Sequence, residues 1–508
     1  MNIWELLERN GRKYSDKEAV VSGKDRLTYS DLRMSAYAMA AGLAHKGVKE
    51  GDRVVLCMPN TKEFVISYFA AMRLGAIIVP INAKLTKSEV DYILKDCGAK
   101  VFIIDHLLFS ELGSIHANDL VKIKTGDSNT DWGSFEEFMG SKDSNDLAEL
   151  LSKDDDPAAI LYTSGTTGKP KGVLLTHRNL LSAAVMMCVE MEMKPESRIL
   201  HLMPLSHSAP LHLFLIAGVY VGAMHILSPV FTPEKLLELV DKERATHFFG
   251  APVAYLFAAK VPDRFKYDLS SMKYWVYGGA PLTAKEVHFI QGELGIKDLY
   301  CVYGLTEAGP SGTLLMPWEH QEKAGSIGKR AALGTEIRIV NENGEDAAPG
   351  EVGEIVLYGE GLMNGYYQNP VKTSEAFLGK WLKTGDLGKR DNDGYFWVVD
   401  RKKDLIISGG VNIYPKEVEE ALLQHPLISE AAVVGVPHPE WGETVKAFII
   451  AEKQIQDLPN ECKLFLKEKL APFKIPKLYE QIDALPRNAT GKILKHVLKK
   501  EAEEKIEL

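Results

Sequence analysis

Cysteine is scarce in this chain, with five in 508 residues, at positions 57, 97, 188, 301 and 462. An odd number with no paired spacing excludes a disulfide framework and a thiolate zinc site, so reduced, mostly buried thiols of a cytosolic protein are expected. Basic charge is also short. The net charge of -9 offers no basic face for nucleic acid, and no polybasic segment suggests an anionic membrane surface. Long hydrophobic runs are missing too. The longest, residues 213–224, has about a dozen residues against the roughly 20 that cross a bilayer. Gly218 and Gly222 interrupt it and His212 and His225 flank it, so a buried helix is expected. The N-terminal MNIWELLERNGRKY carries Glu5 and Glu8 and has no long apolar core, so it reads as a short amphipathic helix and not as a signal peptide. Internal repeats and low-complexity linkers are lacking.

What is present is an ordinary globular composition, 45% hydrophobic and 25% charged, in a chain too long for a single core. Its first half alternates helical and strand patterns. Residues 53–58, 76–82 and 101–105 are short β-rich runs, and 27–47 and 62–74 carry apolar residues at helical spacing. That order predicts βα units around a largely parallel sheet. Beyond about Ile327 the texture changes: Asn343–Gly344 and Asp393–Gly394 each sit between strand-like runs, a hairpin signal. The fold class expected is α/β. A large N-terminal domain (1–400, with 327–400 a small antiparallel β part) is followed by a small α+β domain (401–508) hinged near Lys403.

The most informative stretch is LYTSGTTGKPKG, residues 161–172. An apolar strand runs into a loop of Thr163, Ser164, Gly165, Thr166, Thr167 and Gly168, closed by Lys169 and Lys171. Glycines let backbone N–H groups approach phosphate oxygens, hydroxyls add donors and lysines add charge. A Walker A loop would need glycine where Thr163 stands. A polar surface loop is the competing reading, weakened by the buried strand that feeds this one.

The run resembles the phosphate-binding loop of the adenylate-forming superfamily, which includes acyl- and aryl-CoA ligases, luciferases and peptide-synthetase adenylation domains. YGLTEAG (303–309), GGAPL (278–282), the block from Gly353 to Pro370 that ends in GYYQNP, TGDLG (384–388), DRKKDLIISGGVNIYPKEVE (400–419) and PRNATGKILK (486–495) follow in the family's order. The resemblance implies ATP, Mg2+ and coenzyme A as ligands. Thr163 to Gly168 would hold the triphosphate with Lys171 nearby, and Glu307, with Thr163, would hold the magnesium ion. Thr306 would bond the α-phosphate. Tyr303, beside Gly304, would stack on adenine over a shelf of Gly279, Ala280 and Pro281, and Asp386 and Arg401 would reach the ribose. Lys492 would stabilise the charge that builds when a carboxylate attacks the α-phosphate. Rotation at Lys403 would then exchange it for Ser408, Gly409, Gly410 and Asn412, which would line a pantetheine tunnel.

The acid is less legible. His207 would address the carboxylate, with Tyr255, Tyr277 and Gly278 in the acid pocket; core packing is the competing reading for His201 and His212. The family's PLxHxxG becomes PLSHSAP here, with Ala209–Pro210 replacing the glycine. No Arg or Lys follows in 211–224 to pair a second carboxylate, which disfavours diacids. No Asp near His207 would hold an amino-acid ammonium. The 16 residues after Lys492 leave no room for a fused carrier domain. A hydrophobic monocarboxylate is expected, a medium- or long-chain fatty acid first. Tyr255, Phe257 and Tyr277 leave an aryl acid open. The rival functions are loading of a separate carrier protein and non-catalytic binding of an acyl nucleotide.

Overall fold

The structure, a computed structural model, describes every residue except 116–118, 130, 140–146, 148, 151, 164–169, 452, 488–492 and 507–508. The chain divides into two compact units, Met1–Ile337 with Leu357–Leu382, and Arg338–Val356 with Lys383–Leu508.

The first unit is built on two sheets. One has eight strands in the order Gly365–Tyr366, Lys171–Thr176, Pro157–Thr163, Ile77–Ile81, Arg53–Cys57, Ala99–Ile104, Val121–Lys124 and Gly133–Ser134. From Pro157–Thr163 onward its neighbours run parallel. Continuous apolar runs such as Ile77–Ile81, buried at every position, are what a sheet covered on both faces requires. The other sheet has nine strands. At its centre Tyr274–Gly278 lies parallel to Leu299–Gly304 on one side and to His247–Gly250 on the other, and Arg198–His201 follows His247–Gly250.

Helix starts are written into the sequence. Thr28, Thr86 and Thr283 each accept a bond from the backbone three residues on, while Asp31, Glu89 and Glu286 bond back to the capping residue. These reciprocal caps satisfy donors that a helix leaves open. The helix Lys62–Arg73 is buried from Phe64 onward on every side, as expected of a helix enclosed by other elements.

A third, five-stranded sheet contains the points where the chain passes between units. The Asp393–Gly394 turn links its antiparallel strands Trp381–Arg390 and Phe396–Arg401, as the hairpin signal predicts. The second unit also holds the sheet Val411–Ile413, Ile406–Ser408, Gly442–Ala451 and Ile428–His438, with Leu478–Gln481 alongside. Its helices include Pro415–Leu422 and Leu458–Lys467. All five thiols are free and four are buried. Among the described residues no helix is long and apolar enough to cross a membrane.

Candidate active site

In parallel sheets, loops leaving the carboxyl ends of strands converge, and ligands bind there. Most of the residues singled out in the first unit occupy such ends. Gly278 closes one central strand, and the main chain of Gly279, Ala280 and Pro281 beyond it is exposed. Tyr303 and Gly304 close the next strand, both half-buried. A methyl group on Gly304 would lie 1.9 Å from the Pro310 carbonyl oxygen, so only glycine lets the chain double back into the short turn Thr306–Ala308.

That turn is the centre of a connected set. Glu307 accepts a hydrogen bond from the Tyr366 hydroxyl at 3.1 Å, and its carbonyl accepts one from the Met363 amide at 2.8 Å. Burial, and then the Glu307 carboxylate, raise the Tyr366 phenol above its ordinary pKa, so it stays protonated and donates. The Lys171 ammonium lies 5.3 Å over the Tyr366 ring, in cation–π range. Lys171 pairs with Thr163 across a hairpin; Ser164 to Lys169, the rest of the expected phosphate loop, lie outside the described residues. The Thr306 hydroxyl is 3.0 Å from that of Ser208. Next to Ser208, the Nε2 of His207 is 3.1 Å from the Asn82 amide nitrogen. Burial lowers the His207 pKa to about 4, so its imidazole is neutral at pH 7.

Beyond His207 the Ala209–Pro210 substitution opens a π-helical segment, Ala209–Ile216, buried from Pro210 onward. Rare in general, such segments recur at functional sites. His212 within it is fully buried, and neither of its nitrogens has a partner among the described residues. His201 is also in the core, stacked on His225 with ring nitrogens 2.9 Å apart. Tyr255 and Tyr277 are both fully buried. The Tyr255 hydroxyl donates to the Val276 carbonyl at 2.7 Å, and that of Tyr277 bonds His320 at 3.1 Å. Both are therefore packed in the core with their polar ends engaged. Phe257 points outward, half exposed, and is not brought to these tyrosines.

In the second unit Asp386 and Arg401 are cross-strand partners, with Arg401 Nε 2.6 Å from Asp386 Oδ1. Lys403 is exposed in the turn Lys402–Asp404. Ser408 pairs with Val411, and Asn412 with Ile407, at a hairpin whose tip residues Gly409 and Gly410 have φ of 58° and 80°. Two successive left-handed residues make a type I′ turn, so the turn itself demands this glycine pair. Both glycines, Val411 and Asn412 are exposed, and the Gly409 amide donates to the Trp441 carbonyl at 2.8 Å. Lys492 lies outside the described residues.

A family model described as AMP-binding enzyme matches residues 7–367, and one described as AMP-binding enzyme C-terminal domain matches residues 417–492. The chain belongs to the AMP-binding enzyme family. It is 37% identical over 496 residues to a feruloyl-CoA synthase of Amycolatopsis sp, covering 96% of both chains. To a long-chain-fatty-acid–CoA ligase of Bacillus subtilis (strain 168) it is 36% identical over 529 residues, covering 98% of this chain and 94% of the relative. The crystal structure of an anthranilate CoA ligase in complex with anthranoyl-AMP superposes with a TM-score of 0.90 at 30% identity, over 100% of this chain and 98% of that one. This AMP-binding enzyme is an acid–thiol ligase of the adenylate-forming class.

Three residues of the connected set escape the sequence reading of roles. Tyr366 stands inside the GYYQNP block without a task. Asn82 is the polar residue that ends an apolar strand, a signal for a strand-end site. Ser208 falls on a variable position of PLxHxxG.

Proposed function

We propose that this enzyme joins a hydrophobic monocarboxylic acid to coenzyme A in two steps. In the first, a carboxylate oxygen of the acid attacks the α-phosphorus of ATP, and the bond to the β-phosphate breaks to release pyrophosphate. In the second, the thiolate of coenzyme A attacks the acyl carbon and AMP leaves with the bonding electrons. The observation that carries the reading is the unbroken run of contacts from Lys171 through Tyr366, Glu307, Thr306 and Ser208 to His207 and Asn82. It joins the end of a phosphate loop to a carboxylate, two hydroxyls and a neutral imidazole, the donors and charges that a nucleotide and an acid need side by side.

Each group has a task set by its chemistry. Lys171 and the phosphate loop oppose the charge of the triphosphate. Glu307, with one oxygen engaged by Tyr366, and Thr163 would hold a magnesium ion through hard oxygen ligands, which would neutralise phosphate charge. Thr306 donates to the α-phosphate. Tyr303 and residues 279–281 receive the adenine, and Asp386 and Arg401 the ribose. A neutral His207 orients the acid's carboxylate without quenching it as a nucleophile, which an imidazolium would do. Lys492 stabilises the charge of the adenylation transition state, and the hairpin 408–412 guides the thiol arm.

The absence of Arg and Lys from 211–224 supports an acid with a hydrophobic tail, since a second carboxylate would need a paired cation. A medium- or long-chain fatty acid is the first reading. An aryl acid is the second, supported by the likeness to a feruloyl-CoA synthase and an anthranilate CoA ligase.

The test is pyrophosphate release with ATP, magnesium and an acid panel (C4 to C18 fatty acids, benzoate, cinnamates, malonate and amino acids), with and without coenzyme A. Turnover that requires coenzyme A and peaks on apolar monocarboxylates is expected. A burst of one equivalent that coenzyme A does not extend would replace the acceptor by a carrier protein. Release with no acid at all would overturn the ligase.

A further inference from the structure

Two asparagines lie just beyond the ends of neighbouring parallel strands. Arg53–Cys57 leads into Asn60, and Ile77–Ile81 leads into Asn82. Both reach from the eight-stranded sheet to the segment that follows Arg198–His201 in the nine-stranded sheet. Asn60 is buried. Its amide nitrogen donates to the carbonyls of His201 at 3.2 Å and Met203 at 2.9 Å, and its oxygen accepts from the Leu205 amide at 2.8 Å. The main chain of 201–205 is thereby pinned, and Asn82 acts on the side chain that follows.

The orientation of the Asn82 amide follows from its two contacts. Its oxygen accepts from the Lys84 amide at 2.9 Å. Only the NH2 group is left to face His207 Nε2, at 3.1 Å. A nitrogen that receives a hydrogen bond carries no proton, so the imidazole proton sits on Nδ1. We propose that Asn82 is a positioning residue for His207, fixing the imidazole tautomer so that an Nδ1–H donor is offered to the carboxylate of the acid. The proposal rests on the reading of His207 as the acid-site residue and deepens it. Without Asn82, no donor among the described residues faces Nε2, the two tautomers exchange, and part of the population offers a lone pair to an anion. Burial alone lowers the His207 pKa, so the form at issue at neutral pH is the neutral ring.

The experiment combines 15N spectra of histidine-labelled full-length enzyme with half-reaction kinetics, the His207 signals being assigned by their loss in His207→Ala. In the unaltered enzyme the Nδ1 signal should be that of a protonated nitrogen and the Nε2 signal that of an unprotonated one. Asn82→Leu should average the two signals and lower kcat/KM for the acid in adenylation about 10-fold, the worth of one hydrogen bond, with KM for ATP unchanged. Asn82→Asp places a carboxylate against Nε2, which favours the imidazolium. Both nitrogens should then be protonated near neutral pH, and an alkaline shift of the His207 titration should appear in the pH profile of adenylation. A protonated Nε2 in the unaltered enzyme would overturn the proposal. So would Asn82→Leu losing ATP and acid kinetics in parallel with its melting temperature, because that is the mark of a merely structural residue. If no acid supports pyrophosphate release, the ligase reading fails, while the spectra still decide the tautomer.

Discussion

The Tyr366 hydroxyl donates to the Glu307 carboxylate at 3.1 Å, and the same ring lies under the Lys171 ammonium. One aromatic side chain thus sits between the cation proposed to face the triphosphate and the carboxylate proposed to hold magnesium. Tyr366→Phe keeps the ring and removes the bond. The magnesium concentration that half-saturates adenylation should rise about 10-fold, the lower end for losing a partner of a metal ligand, with KM for the acid unchanged. Titration of pyrophosphate release with magnesium measures it.

Lys492→Ala should lower adenylate formation by at least ~10²-fold, the scale of removing a transition-state charge donor. Conversion of supplied acyl-AMP to the thioester should persist. Equal losses in the two half-reactions would contradict the assignment of Lys492 to the first step alone.

Acid should destabilise the first unit through its buried histidines. Burial lowers His177, His207 and His247 to about 4, and His201 and His212 to about 3. Below the ordinary histidine pKa of about 6.5 the unfolded chain takes up protons that the folded chain refuses. Their contribution is therefore complete above about pH 6.5 and is lost as pH falls toward 4, by up to about 3 kcal/mol for each group. His212→Leu removes one of these groups together with its unpartnered nitrogens. It should raise stability at pH 7 by about 1 kcal/mol and flatten the slope below pH 6.5, as read by urea unfolding at several pH values.

In the second unit Lys495 Nζ lies 2.7 Å from Glu419 Oε1, with the side chains 18% and 15% exposed. The same carboxylate oxygen accepts from the Val433 amide at 2.7 Å. Lys495→Met leaves a nearly buried carboxylate without its cation and should cost about 3 kcal/mol. The double variant Glu419→Gln, Lys495→Met should recover most of that loss, because neither charge is then stranded. Thermal unfolding of the two variants tests the pair.

Much of the architecture is legible because it is local. The Thr-x-x-Glu caps at Thr86 and Thr283 and the Asp393–Gly394 hairpin each depend on a few adjacent residues. Taking Tyr255 and Phe257 together as aromatic groups that would suit an aryl acid neglects helix geometry. Residues two apart on Pro252–Ala259 face nearly opposite ways, so one is in the core and the other at the surface.

Membership in the adenylate-forming class was written in the order of short blocks, since each block is contiguous in the sequence. The joins between blocks were not. Tyr366 meets Glu307 across 59 residues, Thr306 meets Ser208 across 98, and His207 meets Asn82 across 125. No periodicity links such pairs, because they meet only where strand ends from two sheets come together. The tautomer of His207, the burial that keeps it neutral and the inward turn of Tyr255 depend on neighbours distant in the chain. They were decided when the tertiary structure closed around them.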